Sequence, residues 1–127
     1  DAQIAAITMA QAMGAKLVLY RGVGIPPEIP LNLYLGSSGD LEGLLVEQAK
    51  KDVALLAEAV PAGITSEQLV EVASPWDGIC RAAVRVHAEL IVIGSHGYSG
   101  LDRLLGTTAA KVVNHAACSV FVARPSA

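Results

Sequence analysis

The strongest constraint on the fold is the run Leu90-Ile91-Val92-Ile93, four apolar residues in succession between Glu89 and Gly94. A strand with one wet face alternates apolar and polar side chains, whereas an unbroken apolar run reads as a strand covered on both faces. Strands of that kind belong to parallel sheets, and each parallel connection needs a crossover long enough to hold a helix. The run therefore predicts helices on both sides of a sheet, and the rest of the chain supplies them.

Ala2 to Met13 repeats Ala2, Ala6, Met9 and Met13 at helical spacing, with Asp1 as a candidate N-cap and Gly14 as the stop. Ile4 and Ile7 widen its apolar stripe, which predicts burial against both a sheet and a neighbouring helix. Leu17 to Tyr20 reads as a strand. From Val23 to Gly39 the chain carries Pro26, Pro27, Pro30, Gly36 and Gly39, a composition that predicts a loop. Ser38 or Asp40 opens a helix reaching about Val60, with Leu45, Ala49, Val53, Leu56 and Val60 inward and a Glu47–Lys51 pair outside.

Leu69 to Val72 reads as the next strand. Ser74-Pro75-Trp76-Asp77 has the form of a helix start, with serine as cap, proline at the first helical position and Asp77 closing a capping-box-like pair. Ile79, Ala82, Ala83 and Val86 then face inward, and His87 falls in the last turn. A further helix begins at Thr107 or Thr108, with Ala109, Val112, Val113 and Ala116 inward and His115 near its end. Ser119 to Ala123 is a final strand. Alternation of helices and strands throughout predicts an α/β fold: one domain over residues 1–127, a doubly wound open parallel sheet with helices on both faces. Because the chain opens on a helix, the expectation is that a first strand precedes Asp1 in the natural protein.

Apolar residues make up 53% of the chain and charged residues 17%, too apolar for a disordered segment. Aromatics are only 4%, so aliphatic side chains and alanine must fill the core. A net charge of −3 without a basic block argues against a nucleic-acid partner, and no apolar run approaches the length of a membrane span. Cys80 and Cys118 lack ligand-type spacing and fall in apolar patterns. Two buried free thiols in a reducing, cytoplasmic setting is the better reading, and a disulfide the alternative. No metal site and no catalytic residue is predicted.

After the apolar run, Gly94, Gly97, Gly100 and Gly106 punctuate a loop that ends at Thr107-Thr108, just before a helix. Glycines let backbone N–H groups approach an anion, and a helix N-terminus offers unpaired donors with a favourable dipole. Phosphate or nucleotide binding is the function this pattern predicts. It is neither a G-x-G-x-x-G fingerprint nor a P-loop, since no Gly-Lys-Thr closes it. His96 and Ser95 are candidates to hydrogen-bond a phosphate or ribose, with solvated loop residues the alternative. Arg103 can grip a phosphate bidentately or pair with Asp102. Thr107 and Thr108 can donate hydroxyls to a phosphate or cap the helix. His115 reads as a C-terminal helix residue in favourable contact with the dipole, and Trp76 as a packing residue at a helix start and not a ligand platform.

The residues Ala88 to Gly97, Ser99 to Thr108, Val113 to Ala116 and Val120 to Arg124 resemble the universal stress protein family, and Gly14 to Leu19 fits its first helix running into a strand. The resemblance implies a five-stranded α/β fold, a homodimer formed through the last strand (here Val120–Ala123), and a stress-response role. It also implies ATP or another adenine nucleotide, with or without Mg, held by a Gly-x-x-Gly…Gly-Thr loop. Carried over, Ile93 and Gly94 lie near the adenosine, and Gly97, Gly106, Thr107 and Thr108 near ribose and phosphates. Eight residues separate Gly97 from Gly106 where the family pattern has nine, and Gly22 stands where the family often has valine. The family's first strand, with its adenine-contacting aspartate, has no counterpart in these residues. The expected function is a nucleotide-dependent regulatory module. The alternatives are a scaffold dimer of the same fold without nucleotide and, more remotely, a slow ATPase using His96 or Asp102.

Overall fold

The computed structural model describes residues 2–24, 40–95 and 105–125. In chain order these form α1 (Ala2–Met13), β1 (Leu17–Val23), α2 (Asp40–Glu58), β2 (Ser66–Val72), α3 (Pro75–Arg85), β3 (Leu90–Gly94), α4 (Thr107–His115) and β4 (Ser119–Ala123). Every element expected from the sequence is present, and the architecture is an open α/β fold of parallel strands and helices. The proline-rich stretch, the Asp1 and Ser38 caps, and His96, Gly97, Gly100, Asp102 and Arg103 lie outside the described residues.

The strands pair in parallel as β1–β2, with Leu17 opposite Ser66 and Val23 opposite Val72, and as β3–β4, with Leu90 opposite Ser119 and Gly94 opposite Ala123. These are two separate two-stranded ladders among the described residues. α1 spans them, touching β1, β3 and β4, while α2 covers β1 and β2. α3 and α4 pack on one another, α3 also on β1 and α4 on β4.

The core is built from small residues. Ala10, Ala49, Ala82, Ala109 and Ala123 are buried together with Val23, Val53, Ile91 and Val112, and Val112 is fully enclosed. Alanine on a helix face brings its backbone close to the sheet, which is how a chain nearly without aromatics fills its interior.

Several expected faces are narrower in the structure. On α1 only Ala10 is buried, and Ile4 and Met13 are mostly exposed. On α2, Ala49 and Val53 are buried while Leu56 is exposed, and Glu47 pairs with Lys50 at 3.7 Å rather than with Lys51. In β3 only Ile91 is buried and its neighbours are half-buried, because a two-stranded ladder cannot be covered as fully as an interior strand. Val113 on α4 is exposed. With the helices set this close to the strands, one alanine- or valine-wide stripe per helix suffices for burial.

Both helix ends with a positive φ close in the same way. At the end of α1, Gly14 has φ 62 and the Ala15 N–H donates to the Ala10 carbonyl at 3.0 Å. α3 stops at Arg85, so His87 lies beyond the helix, at φ 55. There the His87 N–H donates to the Val84 carbonyl at 3.2 Å and the Ala88 N–H to the Ala83 carbonyl at 2.8 Å. This is the Schellman closure, with histidine in the left-handed position that glycine usually takes.

Candidate functional site

The carboxyl end of β3 runs into the loop singled out in the sequence. Ile93 and Gly94 are half-buried and stand opposite Val122 and Ala123. Ser95 extends the ladder by one rung, its N–H donating to the Ala123 carbonyl at 2.9 Å, and its side chain is buried at 1% exposure. The chain returns at Gly106, whose N–H donates to the Ser95 carbonyl at 2.6 Å. Ser95 and Gly106, the described residues that flank the glycine loop, are therefore fastened to each other.

Gly106 is the N-cap of α4, with φ −60 and ψ 160, and being glycine it makes no side-chain cap bond. Thr107 is exposed and Thr108 half-buried, and neither takes the capping role that the sequence allowed them. The first intrahelical bond runs from the Ala110 N–H to the Gly106 carbonyl at 2.9 Å. The N–H groups of the first turn that precede it have no intrahelical acceptor, and they carry the positive end of the helix dipole. A second uncapped start lies at α3, where Ser74 makes no side-chain cap bond. Asp77, expected to complete a capping box, instead meets Arg81 at 3.5 Å.

Sequence reasoning missed a cavity of about 360 Å³ at the carboxyl ends of β1 and β2, lined by Val23, Gly24, Val72, Ala73, Ser74 and Pro75. Val23 is buried and registers with Val72, so an aliphatic side chain does stand at the end of β1, one residue after Gly22. The available signal was the extension of the strand from Tyr20 through Val23. A cavity of about 430 Å³ sits at the amino ends of the same strands, beside Lys16, Gly63 and Thr65. Ligands of open α/β sheets bind beyond the carboxyl ends, so location, not size, favours the first.

A polar bracket ties β1 and β2 to α3. The Tyr20 hydroxyl on β1 donates to Glu71 Oε1 on β2 at 2.8 Å, and Arg85 Nη2 on α3 reaches both Glu71 oxygens at 2.9 Å. Burial, followed by the Glu71 hydrogen bond and charge, pushes the Tyr20 hydroxyl well above its ordinary value. The Tyr20 hydrogen bond and then Arg85 hold Glu71 below its ordinary value against the opposing effect of burial. Tyr20 is seated between two glycines. A Cβ on Gly22 would lie 3.1 Å from its hydroxyl, and one on Gly78 would collide with the same oxygen and stand 2.8 Å from Ala73 Cβ.

Trp76 packs as expected: its ring lies 4.7 Å from that of His115, and Lys111 Nζ is 5.5 Å from its centroid. His115 Nδ1 is 2.8 Å from the Lys111 carbonyl, and because a carbonyl only accepts, Nδ1 carries the proton.

Helices alternating with parallel strands, an uncapped helix start after β3 and a cavity at the carboxyl ends of β1 and β2 place the chain in the doubly wound α/β class. The universal stress protein family model matches residues 2–124, and the chain belongs to that family. Universal stress protein A homolog 2 of Coxiella burnetii is 36% identical over 67% of this chain and 58% of its own length. Universal stress protein MJ0531 of Methanocaldococcus jannaschii is 34% identical over 94% of this chain and 71% of its own. The chain thus spans less than two thirds of the Coxiella relative it matches.

Among solved structures, hypothetical protein MJ0577 superimposes with a TM-score of 0.82 at 18% identity, covering 99% of this chain and 87% of that one. The UspA universal stress protein of Lactobacillus plantarum gives 0.72 at 25% identity, covering 97% and 87%. A universal stress protein in complex with cAMP gives 0.60 at 22% identity, covering 98% and 85%.

Proposed function

We propose that this chain is a nucleotide-binding module of the stress response that takes ATP or a related adenine nucleotide at the carboxyl edge of its strands. The observation that carries the reading is the fastened loop end: the Gly106 N–H on the Ser95 carbonyl, directly ahead of the uncapped first turn of α4. Phosphate oxygens accept from the first-turn N–H groups and from the Thr107 and Thr108 hydroxyls, where the dipole favours negative charge. His96, Gly97 and Arg103 complete the phosphate and ribose side in this reading. Ile93 and Gly94 flank the adenosine, and the apolar walls of Val23 and Val72 receive the base. The fit of this chemistry to the residues rests on the backbone donors at the start of α4 and on the aliphatic cavity at the carboxyl ends of β1 and β2, with no requirement for a protein-held metal; Mg would accompany the phosphates. A universal stress protein of like fold has been solved with cAMP, which supports the adenine nucleotide class.

No nucleophile or general base is needed for such a module, and its output is a change of state between loaded and empty forms. Isothermal titration with ATP, ADP, AMP and cAMP is expected to give saturable heat with at least one of them. Absence of heat at high micromolar nucleotide would sink the reading. In the same proposal the module is a homodimer through β4, whose outer edge has no strand partner among the described residues and whose Phe121 is 40% exposed. Sedimentation at micromolar concentration should show a dimer, and Phe121→Lys should return it to monomer.

A further inference from the structure

α2 turns two faces to its surroundings. Ala49 and Val53 are buried on the side that covers β1 and β2. On the far side Leu44 and Leu55 are 67% and 64% exposed. A single exposed leucine needs no explanation, because much of any protein surface is apolar. The spacing of these two does. Leu44, Gln48, Lys51 and Leu55 advance by four, three and four residues, which aligns them in one stripe along the helix. Gln48 and Lys51 are exposed as well. Lys51 makes no ion pair among the described residues, since Glu47 turns to Lys50 instead, at a loose 3.7 Å. Gln48 donates to Asp52 at 3.0 Å, which uses only one of its amide N–H groups.

The stripe is complementary to itself. Lay a second copy of α2 alongside in the opposite direction, with a two-fold axis between positions 49 and 50. Leu44 then comes level with the partner's Leu55, and Gln48 with the partner's Lys51. The axis sets each flank of the stripe against the same flank of the partner. Glu47 and the partner's Lys51 are thus offset by a single helical rise, about 1.5 Å, and the pair occurs twice by symmetry. On the other flank the remaining Gln48 N–H faces the partner's Asp52. A parallel pair would instead set Lys51 against the partner's Lys51, and like charges disfavour that arrangement. We infer that the outward stripe of α2 is a docking surface for a second copy of this chain, joined antiparallel. A contact centred on one helix pair is smaller than a standard interface, so it forms at high micromolar concentration, above the range that reads the β4 pair. α2 lies on the β1–β2 ladder and β4 in the other, so the two surfaces are separate. The inference stands whether or not β4 pairs and whether or not a nucleotide binds.

The test is sedimentation equilibrium of the full chain over a concentration series, run on the parent protein and on Phe121→Lys, which takes β4 out of play. Phe121→Lys is expected to be a dimer at high micromolar concentration. In either protein Leu55→Lys should weaken the association that appears there by about tenfold, while circular dichroism reports the fold. Glu47→Lys and Lys51→Glu should each weaken it, and the two together should restore it. Orientation is read by mild oxidation in a Cys80→Ala, Cys118→Ala background. Leu44→Cys and Leu55→Cys proteins, mixed, should cross-link to each other, and neither should cross-link to itself. No association at high micromolar concentration, association untouched by Leu55→Lys, a double swap that restores nothing, or Leu44→Cys bridging to its own kind would each overturn the inference. The parent series gives the same reading should Phe121→Lys fail to fold.

Discussion

The two strand pairs solve different problems. β1–β2 is seven residues long in each strand and is bracketed to α3 by side chains: Tyr20 in its glycine niche, Glu71, and the two-pronged Arg85. β3–β4 is five residues long and is held mainly by backbone, with Ser95 bonded to Ala123 and Gly106 bonded to Ser95. In the first pair the polar side chains Tyr20, Glu71 and Arg85 are satisfied by one another. Both pairs lead into helices whose N-cap residue makes no side-chain cap bond, α3 after β2 and α4 after β3. Side-chain bracketing, and not the helix start, separates the two pairs.

The comparison breaks most readily at Gly78. Helix propensity alone would favour Gly78→Ala, but the new methyl meets the Tyr20 hydroxyl and Ala73. We expect a net loss of about 1–3 kcal/mol in denaturant unfolding, the usual cost of overpacking. Adding Tyr20→Phe should recover part of that loss by withdrawing the oxygen. A fully additive double-mutant cycle would show that the niche does not couple the two positions.

Gly106→Asp sharpens the other side of the comparison. The backbone at Gly106 is open to any residue, and an aspartate there should cap α4 and leave stability equal or raised. The same carboxylate claims the donors proposed for phosphate, so nucleotide affinity should fall about tenfold, or about 1.4 kcal/mol. Titration calorimetry paired with thermal unfolding separates the effects. Unchanged affinity would move the phosphate away from this helix end.

Tyr20→Phe alone removes one hydrogen bond to a charged acceptor that Arg85 still serves, with an expected cost of about 1 kcal/mol. It also carries a pH signature. Glu71 is depressed below its ordinary value of 4.5, so its contribution is present above that pH and lost as the pH falls through the folded-state value. Because Tyr20 is the leading cause of the depression, the variant should lose less stability between neutral and acid pH. Tyr20 is raised above its ordinary 10.0, so its own contribution is full below that pH and lost in strong alkali, a limb the variant should also lack. The smallest effect is expected at His87→Gly, which relieves a left-handed backbone and should stabilise by about 0.5–1 kcal/mol in thermal unfolding.

The order of elements was legible because each is written locally. Pro75 after Ser74 starts α3, Gly14 ends α1, and the run from Leu90 to Ile93 reads as a strand, though the structure buries only Ile91 of it fully. The glycines around the β3–α4 connection marked the candidate site for the same reason. Cap identity was less legible: Ser74, Asp77, Thr107 and Thr108 have capping chemistry, yet the structure uses none of their side chains as caps. A cap depends on the rotamer its surroundings permit, and Asp77 has Arg81 within reach one turn away. His87 was expected in the last turn of α3 but lies just beyond the helix in a left-handed backbone, which the sequence did not announce because glycine is the residue that ordinarily marks that conformation.

By itself the sequence determined an alternating α/β chain, its parallel pairing through helical crossovers, and a glycine-rich connection ahead of α4. Periodicity, caps and breakers act over a few residues, so they survive in one dimension. Only the tertiary structure decided that the described strands pair as two ladders, that Tyr20 reaches Glu71 across 51 positions of chain, and that Val23 and Val72 wall a cavity. Each of those joins residues whose separation along the chain carries no information about their distance in space. Their meeting is fixed by the packing of whole helices and strands, in which no single stretch of sequence is sufficient.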